Sequence, residues 1–406
     1  MDGQISVDCA KNAILPIMAG ALMCSGEVVI KKCPAFVDVQ NMAKVLQTLG
    51  ARVVFEGDAM VIDASGANAN FVPVEIAKLL RSSIFTMGAL LSRFRRARLA
   101  YPGGCDIGLR PIDLHLSGLR DLGVKIQESH GIINCDASEM RGGKVVLDFP
   151  SVGATENLMM AGVLGKNKTV ILNPAREPEI VDLANFLNKC GAKIVGAGTS
   201  AIEIEGVDKL HGCEYTPISD RIIAGTYLVA AAITGGKIEL CGVEPQNFIT
   251  LIDKLHNSGC VFGIKSDKIY MRSPKVLKSV GFIETSVYPG FPTDLQAQML
   301  ALLSVARGCS IVQENLFEAR FKFVPELIKM GASIRVKERT AIVEGVHFLS
   351  GAEVYAKDLR GGSSLVLAGL NAHGYTTVCD IHHIERGYSH LDKALNSLGA
   401  SIKKED

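Results

Sequence analysis

Polar and apolar positions along the chain repeat as a long-period pattern. Six times a helix-like stretch ends in glycine and runs into a strand-like one: TLGARVVF (48–55), DLGVKIQ (121–127), KCGAKIV (189–195), NSGCVFGI (257–264), KMGASIRV (329–336) and SLGASIKK (397–404). The glycines, Gly50, Gly123, Gly191, Gly259, Gly331 and Gly399, are 73, 68, 68, 72 and 68 residues apart. A glycine just past a helix takes the left-handed conformation that closes the last turn, and the chain then leaves as a strand. The preceding helices, such as VQNMAKVLQTL (39–49) and IVDLANFLNKC (180–190), are amphipathic and bury one face.

Each unit holds a second helical stretch that is apolar nearly all round. The six are NAILPIMAGALM (12–23), SSIFTMGALLSRF (82–94), ATENLMMAGVL (154–164), IIAGTYLVAAAI (222–233), LQAQMLALLSVA (295–306) and GSSLVLAGLNA (362–372). This polarity predicts central, fully enclosed helices. Several nevertheless begin at a charge: Lys11, Arg81, Asp220 with Arg221, Asp294 and Arg360. A charge at the end of a buried helix is costly without a partner or a ligand, so these are site candidates. Repeats of this length exceed the usual solenoid period of about 20–45 residues. The pattern predicts two α/β domains of three β-α-β-α-β units each around buried helices. The expected domains are 11–218, and 1–10 plus 219–406, with a hinge near 215–221 and the active site in a cleft between them.

Composition narrows the function. With 43 basic and 42 acidic residues the net charge is +1, so no global field recruits nucleic acid or an anionic membrane. The absence of Trp argues against a base-stacking platform. Eleven cysteines with no CxxC pair point to reduced thiols in the cytoplasm, mostly serving as small core hydrophobes. No apolar run reaches the roughly 18 residues that span a bilayer. The stretch AILPIMAGALMC has the look of a signal-peptide core, but Asp2, Asp8 and Pro16 favour a buried helix.

One stretch stands apart: PGGCDIGLRPIDLH (102–115) places Cys105 on a segment rich in glycine. Around it, in order, come KNAILP (11–16), SVGATEN (151–157), AREPEIVDLANFL (175–187), FPTDLQAQ (291–298), FEARF (317–321), DLRGGSS (358–364) and IERGY (384–388). Together these motifs resemble the bacterial UDP-N-acetylglucosamine 1-carboxyvinyltransferases, the enolpyruvyl transferases, along essentially the whole chain. The resemblance implies two inside-out α/β domains. It also implies transfer of the enolpyruvyl group of phosphoenolpyruvate to the 3′-hydroxyl of UDP-N-acetylglucosamine, with release of phosphate, the first committed step of peptidoglycan synthesis. The implied partners are these two small molecules, with no cofactor, metal, nucleic acid or membrane.

The resemblance also assigns residues. Lys11, Arg81, Arg110, Arg320, Arg360 and Arg386 match the cations around phosphoenolpyruvate. Lys11, Arg110 and Arg386 fall mainly to its phosphate, and Arg320 and Arg360 to its carboxylate. The planar guanidinium fork suits either anion. Asp294 matches the residue that contacts the 3′-hydroxyl and acts as general base, with a helix cap as its structural alternative. Cys105 matches the cysteine that acts as general acid or assists product release and is alkylated by fosfomycin. Arg81, Arg110, Pro111, Ile112, Asp113, Leu114, His115, Ser151, Val152 and Gly153 match the sugar-nucleotide site; Asn12, Asp294 and the backbone near Phe317 hold the amino sugar. His115 taken alone reads as a satisfied polar histidine, and RFRRAR (93–98) as a solvated basic cluster at a helix end. Residues 102–111 are expected to close over bound substrates and exclude water.

Three departures stand out. Family members open with an extra strand before Gly-Ala-Lys-Asn-Ala, whereas this chain opens MDGQISVDCAKNA with Cys9 at the glycine, predicting a shortened strand and an exposed sheet edge. Pro150 stands where some members carry lysine, and SDRI (219–222) replaces PDRI. The alternatives are the related 5-enolpyruvylshikimate-3-phosphate synthase, a catalytically silent paralogue with a binding role, and a repeat scaffold.

Overall fold

The computed structural model describes residues 1–103, 108 and 111–405. They form two compact units, an N-proximal one of residues 9–103 and 111–218 and a C-proximal one of residues 1–8 and 219–405.

The repeat read from the sequence is a repeat of structure. Five four-stranded sheets share one topology, in which a strand lies parallel to a second that pairs with the far arm of an antiparallel hairpin. The sheet of Phe71–Val72, Arg96–Ala100, Ile132–Asp136 and Lys125–Ser129 is typical. All six junction glycines have φ between +89° and +105°, the conformation a side chain disfavours. Each unit also has one sheet completed by a strand from the other end of its sequence. Glu214–Tyr215 pairs with Val29 and Ile30, and Asp2–Ser6 pairs in parallel with Lys237–Cys241. The sheet edge expected to be left open at the N-terminus is therefore filled, because QIS and its neighbours supply the extended segment.

The sixth unit departs from the pattern. Its sheet has only Glu353–Tyr355 beside Thr377–Cys379, and residues 400–405 form no strand. SIKKE holds one apolar residue, and no described residue returns to pair with it. The Asn396 side chain clasps Ile402 instead, accepting from its N–H at 2.8 Å and donating to its carbonyl at 2.7 Å. Asn188 clasps Ile194 in the same way in the third unit.

The apolar helices sit at the centre of each unit, as their polarity requires. In the N-proximal unit, Thr86–Phe94 lies along Val152–Val163 and against Lys11–Ala21. A Cβ on Gly88 would come within 2.3 Å of the Asn157 carbonyl oxygen, so only glycine admits this approach. In the C-proximal unit, Gln296–Leu303 and Leu359–Gly369 lie side by side against Arg221–Ile233, every residue of which is buried. The basic cluster at 93–98 is not simply solvated. Arg93 donates to the carbonyls of Leu22 and Ala64, and Arg95 to that of Leu164. Leu22 and Leu164 end the two neighbouring central helices, so these guanidinium groups satisfy helix carbonyls that lack intrahelical donors.

The ten described cysteines are free thiols, and burial pushes Cys33 and Cys135 up to about 12, which keeps both protonated at neutral pH. No helix among the described residues is long and apolar enough to cross a membrane.

One buried acid stands out in the helix Val152–Val163. Glu156 is 1% exposed and neither carboxyl oxygen has a hydrogen-bond partner. Burial, and then the nearby Glu179 and Glu177, raise its pKa well above the ordinary 4.5. The folded state thus holds a proton that the unfolded chain releases as pH rises past that ordinary value, so stability falls with rising pH. In urea denaturation, Glu156→Gln is expected to gain stability relative to wild type between pH 5 and pH 8; parallel pH profiles would contradict a protonated Glu156.

Candidate active site

The C-proximal unit gathers two of the expected arginines around one expected carboxylate, that of Asp294. FPTDLQAQ makes a 3-10 turn, Thr293–Leu295, that leads into the helix Gln296–Leu303. Asp294 lies in the first turn of that 3-10 segment, just ahead of the helix. Its Oδ1 accepts from Arg320 Nη2 at 2.5 Å and its Oδ2 from Arg360 Nη2 at 3.0 Å. Both arginine side chains are buried, whereas that of Asp294 is 27% exposed. Two guanidinium groups converge on one partly exposed carboxylate, and their planar forks suit a second carboxylate or a phosphate equally well.

Each arginine is placed by its own local structure. Asp358 caps the helix Leu359–Gly369, its Oδ1 accepting from the backbone N–H groups of Arg360 and Gly361, both at 3.0 Å. Burial opposes the charge on Arg360, but Asp294, with Tyr388 and Asp220, outweighs it and raises the pKa, so the guanidinium stays ionised. Arg320 lies over the Phe317 ring, 5.7 Å from its centroid.

Glu314, fully buried, ties the Asp294 and Arg320 turns together. Its Oε2 accepts from Thr293 Oγ1 at 2.9 Å, while its Oε1 accepts from the backbone N–H groups of Leu316 and Phe317 at 2.9 and 3.1 Å. Sequence reasoning missed Glu314, and its position three residues before FEARF was the available signal. Arg386 is half-buried and follows the short helix His382–Glu385.

The N-proximal unit places other expected residues at helix starts. Lys11 opens the helix Lys11–Ala21, with Asn12 next to it, and its Nζ bonds Asp38 Oδ2 at 3.1 Å. Arg81 opens a 3-10 turn, Arg81–Phe85, and is half-buried. Ile112 is buried and caps the helix Asp113–Asp121, between exposed Pro111 and Asp113; Leu114 is half-buried.

His115 and the SVG turn come together. A Cβ on Gly153 would lie 3.0 Å from His115 Cε1, and Ser151 caps the helix Val152–Val163 through Ala154 N–H. Asn157 Oδ1 accepts from Gly88 N–H, which fixes the amide so that Nδ2 donates to His115 Nδ1 at 2.9 Å. Nδ1 is therefore an acceptor, and the proton of the neutral imidazole sits on Nε2. His115 is both a satisfied core histidine and a neighbour of the expected sugar-nucleotide segment. Among the described residues no group of three or more His, Cys, Asp or Glu is arranged to hold a metal ion. Cys105 and Arg110, and with them the expected closure of residues 102–111, lie outside the described residues.

A family model described as EPSP synthase (3-phosphoshikimate 1-carboxyvinyltransferase) matches residues 1–395. UDP-N-acetylglucosamine 1-carboxyvinyltransferase 2 of Caldanaerobacter subterraneus subsp. tengcongensis is 51% identical, over 98% of this chain and 96% of that protein. UDP-N-acetylglucosamine 1-carboxyvinyltransferase 1 of Symbiobacterium thermophilum is 50% identical, over 100% and 93%. The enzyme of the same name from Myxococcus xanthus is 45% identical, over 100% and 97%. Among solved structures, the enolpyruvyl transferase NikO from Streptomyces tendae superposes with a TM-score of 0.87 at 24% identity, over 99% of this chain and 95% of that one. EPSP synthase from Acinetobacter baumannii superposes with a TM-score of 0.76 at 18% identity, over 99% and 96%. At such identities these two structures speak for the fold alone. With the fold, the motifs and the full-length similarity in agreement, the chain belongs to the enolpyruvyl transferase family, in the branch of the UDP-N-acetylglucosamine 1-carboxyvinyltransferases.

Proposed function

We propose that this chain transfers the enolpyruvyl group of phosphoenolpyruvate to the 3′-hydroxyl of UDP-N-acetylglucosamine, releasing phosphate, in a cytoplasmic step that supplies peptidoglycan synthesis. The observation that carries the reading is the Asp294 carboxylate between Arg320 and Arg360 at the front of an apolar helix, in a chain half identical to relatives of that name.

In this reading the hydroxyl oxygen adds to C2 of phosphoenolpyruvate while C3 gains a proton, giving a tetrahedral adduct. Loss of a C3 proton and of phosphate then restores the double bond. Arg320 and Arg360 take the substrate carboxylate, and Lys11, Arg110 and Arg386 the phosphate, with Arg81 nearby. The arriving carboxylate competes with Asp294 for the same two guanidinium groups, loosening Asp294 to accept the hydroxyl proton. Cys105 serves as general acid or in product release. Asn12, Asp294 and the backbone near Phe317 hold the amino sugar. The uridine diphosphate lies along Pro111–His115 and Ser151–Gly153, where the start of the helix Val152–Val163 offers backbone N–H groups.

Phosphate release from phosphoenolpyruvate tests the activity. It is expected with UDP-N-acetylglucosamine and not with shikimate-3-phosphate; a folded preparation active with neither would refute an enzymatic role. Asp294→Asn is expected to lower kcat by about 10²–10⁴-fold. Cys105→Ala is expected to escape fosfomycin inactivation, and persisting sensitivity would reassign the reactive thiol.

Removing the shared anion should also be visible without substrate. Asp294→Ala leaves two buried guanidinium groups short of a counter-charge and is expected to cost about 1–3 kcal/mol, discounted for the partial exposure of Asp294. Millimolar inorganic phosphate should restore part of that loss in thermal denaturation. A variant indifferent to phosphate would count against anion binding at this cluster.

A further inference from the structure

Arg360 has a second contact that no substrate role explains. Its Nη1 lies 3.5 Å from the hydroxyl of Tyr388, and its guanidinium carbon 5.8 Å from the centre of the Tyr388 ring. Tyr388 is 2% exposed, and its hydroxyl is 2.7 Å from Thr226 Oγ1 on the central helix Arg221–Ile233. Thr226 is fully buried and also receives Gln298 Nε2 at 3.2 Å.

The directions of these bonds follow from the available protons. Thr226 Oγ1 lies 2.8 Å from the carbonyl of Ile222, an acceptor only, so the single threonine proton goes there. Thr226 must then accept from Tyr388 O–H and from the Gln298 amide, which fills both its lone pairs. The tyrosine proton is committed to Thr226, so the tyrosine oxygen can present only lone pairs to Arg360. The 3.5 Å separation is long for a hydrogen bond, so the contact contributes less as an attraction than as a limit on where the guanidinium can turn.

We propose that Tyr388 is a positioning residue for Arg360, with its own orientation set by Thr226 and Gln298. The chain from Gln298 through Thr226 and Tyr388 ends on one side of the guanidinium and Asp294 on the other. Arg360 is thereby held in the plane in which it meets a substrate carboxylate. The proposal rests on the reading of Arg360 as a ligand of the phosphoenolpyruvate carboxylate.

Steady-state kinetics of the full chain test it, with thermal denaturation of every variant as a folding control. Tyr388→Phe removes the oxygen that faces Arg360. Thr226→Val frees the tyrosine proton to turn toward the guanidinium, and Thr226→Ser keeps the hydroxyl. Tyr388→Phe and Thr226→Val are each expected to raise KM for phosphoenolpyruvate by about five- to twentyfold, with KM for UDP-N-acetylglucosamine within about twofold of wild type. Thr226→Ser should stay near wild type, and the double variant should be no worse than Tyr388→Phe alone. Equal rises in both KM values, a kcat loss with KM unchanged, an impaired Thr226→Ser or additive effects would each overturn the proposal. Wild type inactive with both acceptors would remove the proposed activity instead. The positioning claim would then be decided by crystal structures of wild type and Tyr388→Phe. A displaced Arg360 side chain would support it, and an unmoved one would overturn it.

Discussion

A buried guanidinium is tolerable only where its charge is answered, and this constraint shapes the C-proximal unit. Arg320 and Arg360 are enclosed by apolar helices, and the carboxylate of Asp294 answers both. The sharing fixes where three separate segments of chain must meet: the turn before Gln296, the turn before Val324 and the start of the helix Leu359–Gly369. Around that meeting point other carboxylates hold the turns in place: Glu314 accepts from Thr293 and Phe317, and Asp358 from the Arg360 backbone. The half-open Asp294 carboxylate is thus the point at which two enclosed guanidinium groups come nearest to solvent.

Much of the fold was legible because its signals are local. The six glycines mark helix ends whose φ values lie within a narrow range, and helices apolar on every side can only be central. What sequence patterning missed depends on partners distant in sequence. The strand at 401–404 was expected from the glycine before it, yet a strand needs a neighbour, and among the described residues no strand pairs with it; the Asn396 amide clasps Ile402 instead. The short segment Asp2–Ser6 was expected to leave an edge, yet it pairs along its whole length with Lys237–Cys241. Arg93 and Arg95 read as a solvated cluster until the ends of neighbouring helices supply carbonyls to receive them.

The candidate site divides in the same way. Residue types at helix starts revealed Lys11, Arg81, Asp294 and Arg360, because a charge beside an apolar helix contradicts its surroundings. Tyr388, Thr226, Gln298 and Glu314 raise no such contradiction, since each is an ordinary polar residue in or beside a motif. Their place in the cluster rests on the hydrogen bonds each gives or accepts, and those are set by distances between segments far apart in sequence. His115 shows the limit plainly: only the fixed amide of Asn157 decides which of its nitrogens carries the proton.

The parallel pairing of Asp2–Ser6 with Lys237–Cys241 also bears on how the chain behaves outside the folded enzyme. Without those first residues, Lys237–Cys241 would present a row of unsatisfied amide and carbonyl groups along a strand whose Ile238 and Leu240 are buried in the folded protein. Such a row is a template for strands of other molecules. The N-terminal segment therefore shields the edge of its own sheet, and its loss is expected to favour association between copies.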